Sequence, residues 1–391
     1  MSLMSEYIAK GLKGPALEAE LQQLVAKYNE RRGRYLFVYA AAVRKQIPGV
    51  SLEQDDYYIF HDMLSRLADV RALDVYLETP GGSGETAEEI VRFLRTKFGS
   101  VSFVVSGEAK SAGTIMVMAG DEILMTETGS LGPIDAQVRV GRSWQSAYDY
   151  MEWVSTKRSE AEKAGRLNPF DATMVAQITP GELLGVSNSL RFAEDLVEKW
   201  LTQYKFGRWT ETETRKLPVT SEMRKRRARE IARDLNDRKK WWSHGQSVKA
   251  QDLESIGLRI TKLDTDPSLA DVVYRIQTVC RILFETTGTF KVFATADSKL
   301  FRVAAPVVPA RPTEKVMPDA VQLEIQCPQC NRTHRIYAKF IQNAKIDSDL
   351  QTQGYVPFPQ DLKLTCACGR IINLSSAKDG IEAQAGRKIV I

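Results

Sequence analysis

Apolar and polar positions along the first third of the chain switch repeatedly between a helical period and short uninterrupted apolar runs. Residues 16 to 31 space apolar side chains among Glu, Gln and Lys as an amphipathic helix does, whereas Tyr35-Leu-Phe-Val-Tyr-Ala reads as a buried strand. A Pro-Gly turn at 48 and 49 leads to Ser51-Leu-Glu-Gln, a capping-box pattern that predicts a helix through Leu67. Asp74-Val-Tyr-Leu-Glu is a short strand running into the breaker cluster Thr79-Pro-Gly-Gly-Ser-Gly, and a helix is expected from Thr86 to Lys97. Val101-Ser-Phe-Val-Val, a small-residue helix over Ala109 to Ala119, and Glu122-Ile-Leu-Met continue the alternation. Strands and helices in such short succession predict right-handed crossovers, and so an α/β fold with a mostly parallel sheet covered by helices.

Residues 141 to 170 interrupt this rhythm with a polar, aromatic-studded insertion, and Thr179-Pro-Gly-Glu opens a long helix through Leu201. Ala250 to Leu258 reads as a last short helix ending at Gly257, so the core is expected to close near Ile260. Alternating apolar positions over 285 to 303 suggest a small β element, and the four prolines between Ala304 and Ala320 suggest a linker. The pattern divides the chain into an N-terminal helix (1–34), an α/β domain (35–265), a small appendage (266–303), the linker (304–320) and a cysteine-bearing module (321–391). At 391 residues the chain exceeds what one hydrophobic core usually serves, which agrees with several domains.

Composition changes this picture little. With 43% hydrophobic and 26% charged residues the chain is of ordinary globular type, and a formal charge of +5 does not by itself argue for nucleic acid. No run approaches the roughly 20 apolar residues of a membrane-spanning helix, and the N-terminus lacks a signal-peptide core, so no membrane insertion and a cytoplasmic location are expected. One segment, 215 to 240, is locally basic, with Arg224-Lys-Arg-Arg-Ala-Arg and Arg238-Lys-Lys-Trp-Trp interspersed with Glu222, Glu230, Asp234 and Asp237. It reads as a solvated helix face, with contact to a phosphate backbone or to an acidic partner as the functional alternative.

The chemistry concentrates at two strand-to-helix junctions. Leu77-Glu-Thr-Pro-Gly-Gly-Ser-Gly and Glu108-Ala-Lys-Ser-Ala-Gly-Thr-Ile-Met each run a strand into small residues that start a helix, where backbone N–H groups stand unpaired and can hold an oxyanion. Ser111 places a hydroxyl at such a helix start, which suits attack on a carbonyl; the plain alternative is a helix-capping serine. Neither junction has a phosphate-loop lysine pattern or a complete dinucleotide fingerprint.

Four ordered motifs, Thr79-Pro-Gly-Gly, Ala109-Lys-Ser-Ala-Gly-Thr, Ala119-Gly-Asp-Glu-Ile and Ser130-Leu-Gly-Pro-Ile-Asp-Ala-Gln, make residues 74 to 137 resemble the serine dehydrogenase proteinase group of Clp-class serine peptidases, with its ClpP/crotonase-like fold and kinship to signal peptide peptidase A. The resemblance implies a peptidase acting on a peptide or protein substrate as a homo-oligomer. It assigns Ser111 as the nucleophile, the N–H groups of Gly82 and Ala112 as the oxyanion hole, and Gly81 as the residue that lets the chain approach the substrate.

The general base is less directly read. Where Clp subunits carry a histidine, this chain has Asp135. Among the three histidines, His61 lies in the helix before the Asp74 strand and is expected to be structural, on an apolar face with Phe60 and Leu64. His244 precedes Gln246-Ser-Val-Lys-Ala-Gln-Asp-Leu-Glu-Ser-Ile-Gly-Leu, which resembles the stretch after the third triad residue of Clp subunits, so a neutral His244 oriented by Asp135 could accept the Ser111 proton. Its alternative is a surface loop histidine beside Trp241 and Trp242. Lys157 and Lys163 are lesser candidates, and Lys110 is expected to point away from Ser111. A catalytically silent Clp-like scaffold binding a partner or nucleic acid, and more distantly a crotonase-like acyl-CoA enzyme, are the competing functions.

Cys327-Pro-Gln-Cys330 and Cys366-Ala-Cys368 form two close pairs flanked by the strand-like Val321-Gln-Leu-Glu-Ile and Leu362-Lys-Leu-Thr. They resemble a zinc ribbon closed by one structural Zn²⁺ on four thiolates, although the second pair departs from the usual two-residue spacing. Free thiols are the alternative, and His334 could substitute for one ligand.

Overall fold

The computed structural model describes residues 2–140, 143–304 and 318–390. Their contacts divide into two units, Met1–Ala305 and Pro306–Ile391. Most of the expected linker therefore lies outside the described residues, as do 141–142 at the start of the insertion.

The first unit opens with α1 (Leu3–Ala9) and α2 (Gly14–Arg32), the helix expected from the spacing at 16 to 31. β1 (Tyr35–Ala41) is followed by α3 (Gln54–Leu64), whose capping box is made by Glu53 and Asp56 and not by Ser51. Asp56 is buried and accepts the Glu53 N–H, which sets the helix start. β2 (Ala72–Glu78), α4 (Gly84–Lys97), β3 (Ser100–Val105), β4 (Glu108–Ala109), α5 (Ala112–Val117), β5 (Ile123–Met125) and β6 (Ser130–Leu131) continue the alternation. The insertion contains the hairpin β7 (Gln137–Val140) and β8 (Ser143–Ser146), then α6 (Ala147–Ala164) and α7 (Pro169–Val175), and is followed by α8 (Pro180–Trp200). α9 (Ser221–Asn236), α10 (Arg238–Trp241), α11 (Ala250–Ser255), β9 (Thr261–Lys262), α12 (Pro267–Thr286), β10 (Thr289–Ala294) and β11 (Lys299–Val303) complete the unit.

Seven strands lie in the order β11-β10-β1-β2-β3-β5-β9, with β1, β2, β3, β5 and β9 parallel and β10 and β11 antiparallel. Successive strand residues point to opposite faces. Leu36, Val38 and Ala40 enter a core with Leu21, Tyr28, Val272 and Ile276, while Phe37 and Tyr39 enter a second core with Phe60, Ile90, Met116 and Ile231. Both faces are covered, which is why these strands read as apolar runs and not as alternations.

Residues 266–303 differ from the expected appendage. α12 packs along α2, and β10 pairs with β1, so the segment is part of the main unit, as are the N-terminal helices. Every β10 residue is buried, because β1 pairs with it on one side and β11 on the other.

The second unit comprises β12 (Ala320–Gln326), β13 (Thr333–Lys339), α13 (Ala344–Thr352), β14 (Val356–Pro357), β15 (Lys363–Thr365), β16 (Ile371–Asn373) and α14 (Ser375–Ala385). It is β-rich and small, with a modest core of Ile336, Ala338, Phe340, Phe358, Leu374 and Ile389.

Candidate active site and cysteine cluster

Beyond the carboxyl ends of the central strands the chain forms a second, shorter ladder. Thr79 bridges Ala109, β4 pairs in parallel with β6, and Leu131 bridges Val248 in antiparallel fashion. The bonds include Thr79 N–H to the Glu108 carbonyl at 2.8 Å, Lys110 N–H to the Thr79 carbonyl at 3.0 Å and Val248 N–H to the Leu131 carbonyl at 2.9 Å. Residues leaving each rung emerge at the strand ends, where open α/β sheets bind ligands.

Ser111 leaves β4 with φ 51° and ψ −115°, a backbone conformation that costs about 1–3 kcal/mol and persists only when neighbours impose it. Although it occupies the N-cap position of α5, its side chain makes no capping bond. Capping therefore does not account for this serine. Gly81 lies directly against it. With φ 101°, a Cβ on Gly81 would fall 2.7 Å from Ser111 Cβ and 2.9 Å from the Lys110 carbonyl oxygen. Gly82, at φ 147°, is pressed on Leu52, whose oxygen and nitrogen would meet a Cβ at 2.3 and 2.5 Å. Among the described residues neither the Gly82 nor the Ala112 N–H has a protein acceptor.

The Gly81–Gly82 turn is held by a segment whose role is not legible in the motifs. Leu52 donates its N–H to the Gly81 carbonyl at 2.7 Å and accepts the Ser83 N–H at 2.9 Å. Below it, Lys291 Nζ reaches Asp56 at 2.5 and 2.8 Å and the Ser51 carbonyl at 2.8 Å, with both side chains fully buried. Tyr39 donates to the same carboxylate at 3.1 Å. Lys291 stands alone among apolar residues in sequence; only the β10–β1 pairing places it over Asp56.

His244 and Asp135, far apart in the chain, meet with Nδ1 2.7 Å from Oδ1. Asp135 is fully buried and also accepts Gln137 Nε2 at 3.0 Å, while the His244 side chain is 30% exposed. An ionised carboxylate against Nδ1 leaves Nε2 as the acceptor nitrogen of a neutral ring. Lys110 links this region to the serine: its Nζ donates to the Leu131 and Gln246 carbonyls and the Ser247 hydroxyl at 2.9, 3.0 and 3.0 Å. Three acceptors match the three donors of an ammonium, so the side chain is a charged strut even though burial pulls its pKa down.

Two other titratable candidates, Lys157 and His61, have partners of their own. Lys157 pairs with Glu160 and Asp171 at 2.9 and 3.0 Å within the insertion, which holds it protonated. His61 is exposed, its ring centroid 5.1 Å from that of Phe93, while Phe60 and Leu64 turn into the core. The expected apolar face thus excludes the histidine. In the basic segment, Arg224 donates to the Trp209 carbonyl at 3.0 Å, Arg227 to the Ile256 carbonyl at 3.0 Å, and Arg229 to Glu198 at 2.8 and 3.2 Å. These three arginines are tied to neighbouring elements of the fold. Among the described residues no helix is long and apolar enough to cross a membrane.

In the second unit Cys327, Cys330, Cys366 and Cys368 bring their sulfurs within 4.8 Å of one another, and none is in a disulfide. Sγ–Sγ distances of 3.7 Å (Cys327–Cys368) and 3.5 Å (Cys330–Cys366) approach the ~3.8 Å edge of a tetrahedron with metal–sulfur bonds of ~2.3 Å. The N–H groups of Gln329 and Cys330 point at Cys327 and lower its pKa to about 6, favouring a thiolate. Each knuckle turns through a left-handed residue just after its second cysteine, Asn331 (φ 54°) or Gly369 (φ 86°). That shared turn accommodates the shorter Cys366–Cys368 spacing. His334 sits opposite Ile325 in the β12–β13 ladder and is not in the cluster.

Residues 58–160 match the family described as ClpP-like SDH-type serine proteinase. Two uncharacterized proteins of Methanocaldococcus jannaschii are similar, one 34% identical over 68 residues (17% of this chain, 24% of that protein) and one 30% identical over 66 residues (17% and 23%). The chain thus spans about a quarter of the length of these curated relatives. Two solved structures of the membrane-bound stomatin-specific protease 1510-N also align: a serine-to-alanine mutant (20% identity, 35% of this chain, 72% of that one, TM-score 0.23) and a lysine-to-alanine mutant in complex with a substrate peptide (22%, 35%, 76%, TM-score 0.24). The match over 58–160 contains Gly81, Gly82, Ser111, Ala112 and Asp135, so this segment is similar to the ClpP-like SDH-type serine proteinases.

Proposed function

We propose that the chain is a serine peptidase in which Ser111 attacks a peptide carbonyl. The observation that carries this reading is the conformation of Ser111, strained at a helix start and spared from capping. In the proposed reaction the Ser111 oxygen forms a bond to the carbonyl carbon while its proton passes to His244 Nε2, and Asp135 holds the ring and stabilises the imidazolium. The carbonyl oxygen, now an anion, accepts hydrogen bonds from the Gly82 and Ala112 N–H groups. Collapse expels the amine with the proton from His244, and water then hydrolyses the acyl-enzyme by the same route.

A fluorophosphonate probe tests nucleophile activation without a known substrate. The full chain should label at Ser111, and Ser111→Ala should fold and fail to label. Labelling that persists in the variant, or an unreactive parent protein, overturns the assignment.

We infer further that the four cysteines hold one structural Zn²⁺. Thiolate ligands suit zinc, and four of them leave no open position for water, so the ion would brace the unit without entering the chemistry. Metal analysis of protein prepared without chelators should give one zinc per chain; a metal-free, folded second unit would leave four reduced cysteines.

A further inference from the structure

At the carboxyl ends of β1 and β2, on the sheet face covered by α12, lies a cavity of about 110 Å³ whose charged lining is Arg44, Lys45, Glu78, Arg281 and Glu285. None of the groups assigned to hydrolysis lines it. Lys45 donates to the Phe284 carbonyl. Among the described residues, however, neither Arg44 nor Arg281 has a hydrogen-bond or ion-pair partner, and Arg281 Nε is fully buried. A guanidinium cannot shed its proton, so a buried, unanswered N–H calls for an acceptor that the protein does not provide.

The cavity's buried carboxyl does not fill that need. Glu78 is 2% exposed, accepts the Tyr76 hydroxyl at 3.1 Å, and is wedged where a Cβ on Gly107 would sit 2.4 Å from it. Burial pushes it up to about 7 in spite of the Arg281 charge. The cavity has room for several waters, each needing roughly 10–15 Å³, and is well below the roughly 300–1,000 Å³ of sites for drug-sized ligands. Its charged walls disfavour an apolar guest, and its size excludes a nucleotide.

We propose that this cavity binds one small oxyanion of the phosphate–sulfate class between Arg44 and Arg281. Bidentate recognition of such oxygens is what paired guanidinium groups do best. Glu78 makes the site pH-sensitive: uncharged it can donate to the anion, ionised it repels it. The other groups around Glu78 are Tyr76 on β2, Arg44 and Lys45 after β1, Glu108 on β4, and Cys280, Arg281 and Glu285 on α12. Burial drives Tyr76 and Cys280 upward, away from neutrality, which leaves Glu78 to titrate there.

Equilibrium dialysis with radiolabelled sulfate, at constant ionic strength against chloride, tests the site. The protein is the full chain carrying Ser111→Ala, so the result is independent of whether hydrolysis occurs. One saturable site per chain is expected at about pH 6, weakening by about tenfold towards about pH 8 as Glu78 ionises. Unlabelled phosphate should compete. Arg281→Gln and Arg44→Gln should each weaken binding by about tenfold or more, and Glu78→Gln should abolish the pH dependence. Arg44 is exposed, so its variant folds whatever becomes of Arg281→Gln. Absence of saturable binding, binding unchanged in Arg44→Gln, or a pH slope that survives Glu78→Gln overturns the proposal.

Discussion

Ser111 and the cysteine cluster both sit at turns with left-handed backbone, yet different things hold those turns. Around Ser111 the glycines are packed against other main chain: Gly82 lies on Leu52 and Gly81 on Lys110 and Ser111. Leu52 is in turn fixed over the buried Lys291–Asp56 pair. These contacts are made by main chain and by a buried ion pair, and none of them is a hydrogen bond to the Ser111, His244 or Asp135 side chain. Around the cysteines, a Cβ on Gly369 would meet nothing within 4 Å, and the unit's core is small. There, on the proposed reading, the four cysteines and their metal are themselves the fastening. The first region should lose function without losing structure, and the second should lose structure when its ligand goes.

Metal removal sets the two regions apart most strongly. Structural zinc contributes apparent binding energies of about 10–16 kcal/mol in small zinc modules. A strong chelator should therefore strip amide-exchange protection from β12–β13 and β15–β16 while fluorophosphonate labelling of Ser111 continues at its original rate. Loss of labelling in step with protection would break the comparison.

The opposite behaviour is expected at Asp135. Asp135→Asn keeps the shape but no longer favours the tautomer that leaves Nε2 free, and kcat should fall by about 10⁴. The urea midpoint should move little, since Asn can still bond to His244. An equally active variant would remove Asp135 from the proposed hydrolytic site.

Lys291→Met probes the frame and not the chemistry. It takes the ammonium from a buried carboxylate whose other cation, Arg302, stands 3.8 Å away, and should cost about 3 kcal/mol in urea denaturation. Adding Asp56→Asn should recover much of that, because a neutral pair has no charge left uncompensated. If the single variant is as stable as the parent, the buried pair does not fasten the Leu52 segment.

How far the sequence discloses these two regions follows from the same contrast. Strand–helix alternation, the two glycine-bearing junctions and the paired cysteines are local patterns, and the parallel sheet, the Ser111 turn and the sulfur cluster appear where they predict. The His244–Asp135 contact depends on a likeness of surrounding residues and not on spacing. Lys291, Leu52 and Lys110 are silent in sequence because their partners are assigned by tertiary pairing: β10 against β1, the 52–82 bridge, and the 131–248 bridge. The 266–303 segment is misjudged for the same reason. Its apolar alternation signals a strand, but nothing local says that the strand joins the main sheet beside β1.

The smallest effect expected lies at Gly369. Its φ of 86° turns the chain after Cys368 so that the Gly369 N–H bonds back to the Cys366 carbonyl at 2.9 Å. Because a side chain there would meet open space, Gly369→Ala should incur only the left-handed backbone penalty, about 1–2 kcal/mol. Gly369→Asn should cost less, since asparagine visits that region more readily. In the zinc-loaded protein both variants should keep full metal content, and the loss should appear as a lower chelator concentration at half-release. At Gly82 the same Gly→Ala change drives a Cβ into the Leu52 backbone, so relief by asparagine is not available there. If Gly369→Ala instead empties the site of metal, the second knuckle is held by backbone packing after all, and the distinction between the two regions fails at that turn.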